Sequence, residues 1–217
     1  MKKFFCLLIA LSISALSFAQ EDGDLENQFY FRFGLSLPTN SYLGVDDNSV
    51  WDQFDRIGGV FELGSIFMLN SLPLADGLRL GINVDYAQFS YHQFSFKGHD
   101  SKIGVLKVSS KIGPSISWSP VNHLVFDGYV KAKIPWVAGM VFLLDGEAEE
   151  TYGGTLGIGF STGINVRYRF LMVGFEYGMD KMKLEDQDNK GSYFGSASDD
   201  GDQTPMSSYN FTFGFSF

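Results

Sequence analysis

Cysteine is almost missing from this 217-residue chain, and the single one, Cys6, sits near its start. That segment is expected to be removed, so disulfides, thiolate metal sites and a cysteine nucleophile are excluded from the mature protein, even though an exported compartment would permit disulfides. Basic residues are also few. Lys and Arg number 16 against 25 Asp and Glu, giving a formal charge of −9 with no basic cluster, which argues against a nucleic-acid partner. Histidine, the usual general base, occurs only at His92, His99 and His123. Beyond the N-terminal segment no apolar run approaches the roughly 20 residues that a membrane helix needs. No repeat, Pro-rich linker or heptad pattern divides the chain, and its length suits one domain.

The N-terminal segment has its own pattern. Met1-Lys2-Lys3 is followed by an apolar run from Phe4 to Leu16 and then by Ser17-Phe18-Ala19: a basic region, a short hydrophobic region and a small-x-small cleavage site. This reads as a secretory signal peptide over residues 1–19, with cleavage after Ala19 and one domain over residues 20–217. Removing Lys2 and Lys3 makes the remaining chain more acidic still.

What is abundant is Gly (25), Phe (22) and Tyr (10). Such a chain is either a soluble β-protein or one that crosses a membrane as a closed barrel. Alternation decides. Tyr209, Phe211, Phe213, Phe215 and Phe217 alternate with Asn210, Thr212, Gly214 and Ser216, so one face is aromatic and the other small and polar. The same rule sets Phe29, Phe31, Phe33 and Leu35 against Arg32, and Leu78, Leu80, Ile82, Val84 and Tyr86 against Arg79 and Asp85. Further on, Leu106, Val108, Ile112, Ile116 and Trp118 oppose Lys107 and Lys111, and Leu124, Phe126, Val130 and Ile134 oppose Asp127, Lys131 and Lys133. Leu156, Ile158, Phe160, Ile164 and Val166 oppose Gly159 and Arg167, and Leu171, Val173, Phe175, Tyr177 and Met179 oppose Glu176 and Asp180. The second segment places Phe61, Leu63, Phe67 and Leu69 opposite Glu62, and is less clean because Ile66 and Met68 fall on the polar face.

Glycine and charge thus share one face while aromatics crowd the other. A soluble sandwich would turn its polar face to water and would not need so much glycine there; the inversion predicts an all-β fold, an eight-stranded antiparallel up-and-down transmembrane β-barrel with lipid outside and a narrow polar lumen inside. Connections near Asn70–Asp76, Ser119–Asn122 and Tyr168–Phe170 read as short, and those at Pro38–Arg56, His92–Ser101, Phe142–Tyr152 and Leu184–Met206 as long. That asymmetry predicts periplasmic termini and outer loops at the other end.

Eight strands enclose only enough room for side chains to fill. The lumen charge network is expected to hold Arg32, Arg79, Lys107, Lys111, Lys131, Lys133 and Arg167 with Glu62, Asp85, Asp127, Glu176 and Asp180, paired across neighbouring strands, Asp85 with Lys107 for example, while interleaved glycines leave space for the long side chains. Replacing inward Gly159 or Thr212 by Ser is expected to be mild.

The signal segment, the amphipathic strands and above all the run Tyr209-Asn210-Phe211-Thr212-Phe213-Gly214-Phe215-Ser216-Phe217 resemble the small outer-membrane β-barrel families of Gram-negative bacteria, similar to OmpA/OmpX-type barrels. The Gly- and aromatic-rich style of Gly77-Leu78-Arg79-Leu80-Gly81 is similar to barrels common in the Bacteroidetes. The resemblance implies an outer-membrane location, contact with outer-membrane lipids and lipopolysaccharide, and insertion by the outer-membrane assembly machinery, for which Tyr209, Phe211, Phe213, Phe215 and Phe217 would be the signal. It is specific for place and weak for task, because such barrels include structural proteins, adhesins, secretion components and a few enzymes.

Chemistry is sparse. His92 and His99 read as members of an outer loop with Ser90, Ser95, Asp100 and Ser101, a permissible Ser/His arrangement, but their spacing does not match the His-x-Ser dyad of lipid A deacylase barrels. Asp186-Gln187-Asp188-Asn189-Lys190-Gly191 opens like an EF-hand loop, yet Lys190 takes a ligand position and Ala197 stands where the closing Glu belongs. Glu185, Asp186, Asp188, Asp199, Asp200 and Asp202 read instead as a solvated acidic loop, with a loose divalent-cation site bridging to lipopolysaccharide phosphates as the alternative. The sequon Asn210-Phe211-Thr212 lies in a membrane strand and carries no meaning there. No catalytic residue, metal ligand or cofactor is assigned. The expectation is structural or surface-interaction work by the outer loops, with extracellular ligand undefined; the alternatives are a secretion or transport component and an outer-membrane lipid-modifying enzyme.

Overall fold

The computed structural model describes residues 25–39, 54–97, 102–144, 147–155, 157–182, 184–186 and 204–217. The expected signal peptide, His99, Asp100 and most of the acidic stretch, including Asp188, Asp199, Asp200 and Asp202, lie outside them.

The strands are β1 (Gln28–Pro38), β2 (Phe54–Ala75), β3 (Leu78–Phe96), β4 (Lys102–Val121), β5 (Leu124–Leu144), β6 (Glu147–Thr155), β7 (Ile158–Tyr168), β8 (Leu171–Met182), β9 (Leu184–Asp186), β10 (Thr204–Pro205) and β11 (Ser208–Ser216). Eight of them close a ring in the order β1, β2, β3, β4, β5, β7, β8, β11 and back to β1, every pairing antiparallel. Closure leaves no edge in the ring, which is the condition for placing backbone amides in lipid. β6 extends the pairing along the far half of β5, β9 pairs with β6, and β10 pairs with the end of β8.

One end of the ring is made of tight turns. Asp76-Gly77, Asn122-His123 and Arg169-Phe170 join β2 to β3, β4 to β5 and β7 to β8. Each needs a left-handed residue: Gly77 at φ 70°, His123 at φ 68° and Arg169 at φ 54°. One left-handed residue lets a two-residue connection reverse the chain between paired strands. β1 begins and β11 ends at this same end, where Phe29 and Phe217 exchange two backbone hydrogen bonds of 2.9 and 2.8 Å.

The strands differ in length more than alternation suggests. β2 to β5 run for 22, 19, 20 and 21 residues, against 11, 11, 12 and 9 for β1, β7, β8 and β11. Three expected loops are therefore corrected. Asn70–Asp76 is mostly strand, His92 to Phe96 belongs to β3, and Phe142–Leu144 and Glu147–Tyr152 belong to β5 and β6, with residues 145–146 outside the described residues. The alternation of apolar residues marks where a strand meets lipid; where it rises beyond, the pattern fades while backbone pairing continues.

Bulges line up where the tall wall bends. Register slips between Leu63 and Gly64, between Asp85 and Gln88, and between Val108 and Ser109 fall in successive strand pairs, with the extra residues on β3 at Tyr86 and Ala87 and on β5 at Trp136. A bulge bends its strand and increases local twist. On the outer face at this level Trp136 Nε1 donates to Ser110 Oγ (2.8 Å), and the Ser110 hydroxyl donates to the Tyr86 carbonyl (2.6 Å).

Inward glycines are required by close approach. A Cβ on Gly34 would lie 1.8 Å from the Phe211 carbonyl oxygen, and one on Gly214 would lie 2.1 Å from that of Phe31, so the seam between β1 and β11 closes only with glycine on both sides. Gly159 obeys the same constraint: its Cβ would meet the Met179 carbonyl oxygen at 2.3 Å, which corrects the expectation that Ser is mild there. Gly64 and Gly163 make room for the Tyr30 and Tyr129 rings.

Candidate functional site

The strand period sends alternate side chains into the lumen, and most of the described charged strand residues take that side. Arg32, Glu62, Asp85, Lys107, Lys111, Asp127, Lys131, Lys133, Arg167, Glu176 and Asp180 are each exposed by 2% or less. The opposite face is apolar and open, with Phe33, Leu35, Ile112, Trp118, Val130, Ile158, Ile164, Val173, Phe211 and Phe213 all at least 40% exposed.

In the middle tier Lys111 is the hub. Its Nζ lies 2.7 Å from Glu62, 3.1 Å from Asp85 and 2.6 Å from Glu176, so strands β2, β3, β4 and β8 meet at one ammonium. Oxygens of those three carboxylates approach within 4.8 Å of one another, a spacing suited to a cation, and the lysine supplies that cation. Lys131 Nζ binds Asp85 at 2.6 Å and stands 4.1 Å from the centre of the Tyr129 ring. Arg32 is paired with Glu62, donates to Asn165 Oδ1 (2.6 Å) and lies 3.4 Å from Glu176. The Tyr30 hydroxyl donates to Asp85, and the Tyr129 hydroxyl donates to Glu176 (3.1 Å). Charges buried at this depth are sustained only by pairing and by hydrogen bonds to their remaining atoms.

Towards the tight turns Arg167 binds Asp127 through Nε (2.7 Å) and Nη2 (2.9 Å), with Gln28 as a further partner. An apolar cluster of Tyr30, Ile66, Met68 and Met172 fills this end of the lumen, which accounts for the two apolar residues on the polar face of β2. Towards the long connections Asp180 sits between Lys107 (2.7 Å) and Lys133 (3.3 Å). The pairing expected between Asp85 and Lys107 is thus replaced by Asp85 with Lys131 and Lys111, and Lys107 with Asp180. Strand tilt and stagger set which tiers meet inside, and they vary independently of order along the chain.

Arg79 is the expected lumen residue that stands apart. It lies near the tight-turn end, half-buried, and donates to the carbonyls of Ala75 and Leu78 (3.1 Å each). Its place in the sequence, two residues after the turn, leaves it below the ion lattice.

His92 is not in a loop. It lies on β3, fully buried on the lumen side, with Nε2 2.7 Å from Ser36 Oγ. The Ser36 hydroxyl donates to Asn210 Oδ1 at 2.6 Å, so the contacts of Ser36 with His92 and Asn210 tie β3 to β1 and β11.

Side chains missed by charge alone complete the lattice: Gln88 donates to Glu62 (2.5 Å) and accepts from Ser109 (3.0 Å), while Tyr30, Tyr129, Asn165 and Asn210 join as above. The signal was available for Tyr30, Tyr129 and Asn165, which share the parity of the charged residues on their strands; Gln88 does not share that of Asp85, and β11 carries no charged residue.

Apolar outside, ionic inside, edgeless: the chain is an eight-stranded β-barrel of the outer-membrane type. No protein-family model matches the sequence, and comparison with curated proteins gives no match. Solved structures are similar in shape. Ail, the attachment invasion locus protein of Yersinia pestis, shares 10% identity over 88% of this chain and 99% of its own, with a TM-score of 0.43. Neisserial surface protein A shares 11% over 87% and 95%, TM-score 0.40, and the outer membrane protease OmpT of Escherichia coli shares 13% over 92% and 99%, TM-score 0.44. At these identities neither residues nor activities transfer.

Proposed function

We propose that this barrel resides in the bacterial outer membrane, with both termini in the periplasm, and that its lumen is sealed so that its work is done by the wall and by the long connections, as a structural or surface-interaction protein. The observation that carries the reading is the lattice around Lys111. Six described strands contribute charged or tyrosine side chains to it, each joined to at least one other by an ion pair or hydrogen bond and away from solvent. An ion-pair lattice of this kind occupies the bore that a transport reading needs, and an apolar cluster lies beneath it.

The orientation follows from the asymmetry of the ends, since short turns face the periplasm in barrels of this class and longer connections face outward. The aromatic face of β11 would then serve the assembly machinery as the last strand delivered. A lipid-modifying activity would need a nucleophile and base on the lipid-facing wall, and His92 and Ser36 face the other way. Planar-bilayer recording on the refolded protein tests the sealed lumen. Silence or rare small events are expected; steady conductance on the scale of a general porin overturns the reading and restores transport.

A further inference from the structure

The outer wall carries a graded strip that the lumen lattice does not use. Antiparallel register sets its rows. Phe33, Phe61 and Phe89 lie side by side; the next row towards the long connections is Leu35, Gly59, Tyr91 and Leu106; then come Ile57, Gln93 and Gly104, and then Asp55, Ser95 and Lys102. In the second row a glycine stands among three large side chains. A Cβ on Gly59 would meet nothing nearer than the Gly34 carbonyl oxygen at 3.8 Å, so the place is open. The result is a groove of about 500 Å³ in the wall, edged by the Phe61 and Phe89 rings at 6.4 Å between centres and by Tyr91 and Leu106.

Chemistry changes in order along the strip. Above the groove the Tyr91 hydroxyl approaches Gln93 Oε1 (3.5 Å), and Gln93 Nε2 donates to Ser95 Oγ (3.1 Å). At the top Lys102 is exposed, and Lys97, with its side chain 55% exposed, stands 3.9 Å from Asp55. Among the described residues of this corner two ammonium groups face one carboxylate, in a chain whose formal charge is −9.

We infer that this strip binds one phosphorylated glycolipid of the outer leaflet: an acyl chain in the groove at Gly59, its ester and hydroxyl groups against Tyr91 and Gln93, and a phosphate against Lys97 and Lys102. The inference rests on the outer-membrane reading with this end outward. The sequence apolar, neutral polar, cationic matches an upright anionic lipid at each level. A second copy of the chain fits poorly, because a two-fold contact through this strip would bring the same lysines face to face.

The test uses the full barrel folded in phosphatidylcholine vesicles, its folded state checked by heat-modifiable migration, then extracted in mild detergent. Native mass spectrometry reads the retention of bisphosphorylated lipid A, dephosphorylated lipid A and phosphatidylglycerol. Two variants accompany the wild type: Gly59→Phe, which fills the groove where the backbone leaves room, and Lys97→Gln with Lys102→Gln, which removes the phosphate partners. Wild type should retain bisphosphorylated lipid A about tenfold better than either variant does, and about tenfold better than it retains the other two lipids. Equal retention by folded wild type and both folded variants overturns the site, and equal retention of phosphatidylglycerol overturns the glycolipid assignment. Failure of the wild type to enter vesicles at all would instead defeat the outer-membrane reading on which the inference stands.

Discussion

Removing one carboxylate from the middle of the lumen gives the sharpest measure of what the lattice does. Asp85 holds Lys131 at 2.6 Å, Lys111 at 3.1 Å and the Tyr30 hydroxyl, and it is fully buried. In Asp85→Ala, Lys111 keeps Glu62 at 2.7 Å and Glu176 at 2.6 Å. Lys131 fares worse: its other carboxylate, Glu176, is 3.9 Å away, and the remaining support is the Tyr129 ring. A unit pair at 2.6 Å is worth about 6 kcal/mol at an effective dielectric of 20, and desolvation offsets part of that. Breaking a buried pair from one side typically costs about 3–5 kcal/mol, because the surviving charge stays inside. Asp85→Ala should therefore lower stability by about that amount. Asp55→Ala removes a carboxylate that is 79% exposed and 3.9 Å from Lys97, and should change it by no more than about 1 kcal/mol. The double variant Asp85→Ala with Lys131→Met should recover much of the loss, since no charge is left unmatched. Urea titrations in lipid vesicles give all the values on one scale. The reasoning is refuted if Asp85→Ala costs no more than Asp55→Ala, or if the double variant is less stable than the single.

The wall and the seam give further tests in the same titration. Arg in place of outward Phe213 should cost about 2–4 kcal/mol near mid-membrane, and in place of outward Ile158, which opens β7 beside the exposed Lys181, less, whereas Thr212→Ser, on the inward face of the same strand as Phe213, should be nearly silent; the reverse order would show that the facing is inverted. Gly214→Ala should impair assembly, because its Cβ would meet the Phe31 carbonyl oxygen at 2.1 Å, while Gly139→Ala, with nothing within 4 Å, should fold as the parent does. Equal heat-modifiable yields of the two alanine variants would remove the close-approach argument.

Much of the barrel is legible in the sequence because a strand has only two faces. Once Phe211, Phe213 and Phe215 share one side, the facing of Asn210, Thr212 and Gly214 follows, and the same parity assigned Arg32, Glu62 and Lys111 to the lumen. Even the irregular Ile66 and Met68 were placed inside by that rule, and the apolar cluster with Tyr30 and Met172 gives the reason. Partners are another matter. Arg32 reaches Asn165 and Glu176 across the bore, at separations of 133 and 144 residues, and only the stagger of the closed ring decides such meetings. Bulges hide for a related reason: Gln88 returns to the inward side after Tyr86 because of the slip after Asp85, which alternation read from one strand cannot reveal. His92 was assigned to a loop because β3 outruns its lipid-facing pattern.

Those cross-bore partners also bear on time. Arg32 and Glu176 sit 144 residues apart and on strands that come together only when β1 pairs with β11, so an open arc of the sheet leaves them apart. Until then each charge must remain hydrated, and the last act of assembly has to expel that water and lock all tiers at once. The reverse step must rehydrate the whole interior before a single strand can leave. A barrel filled in this way resists departure by its barrier more than by its depth: once shut, it persists through slow opening, and its lifetime in the membrane is set by the rate at which water can first get in.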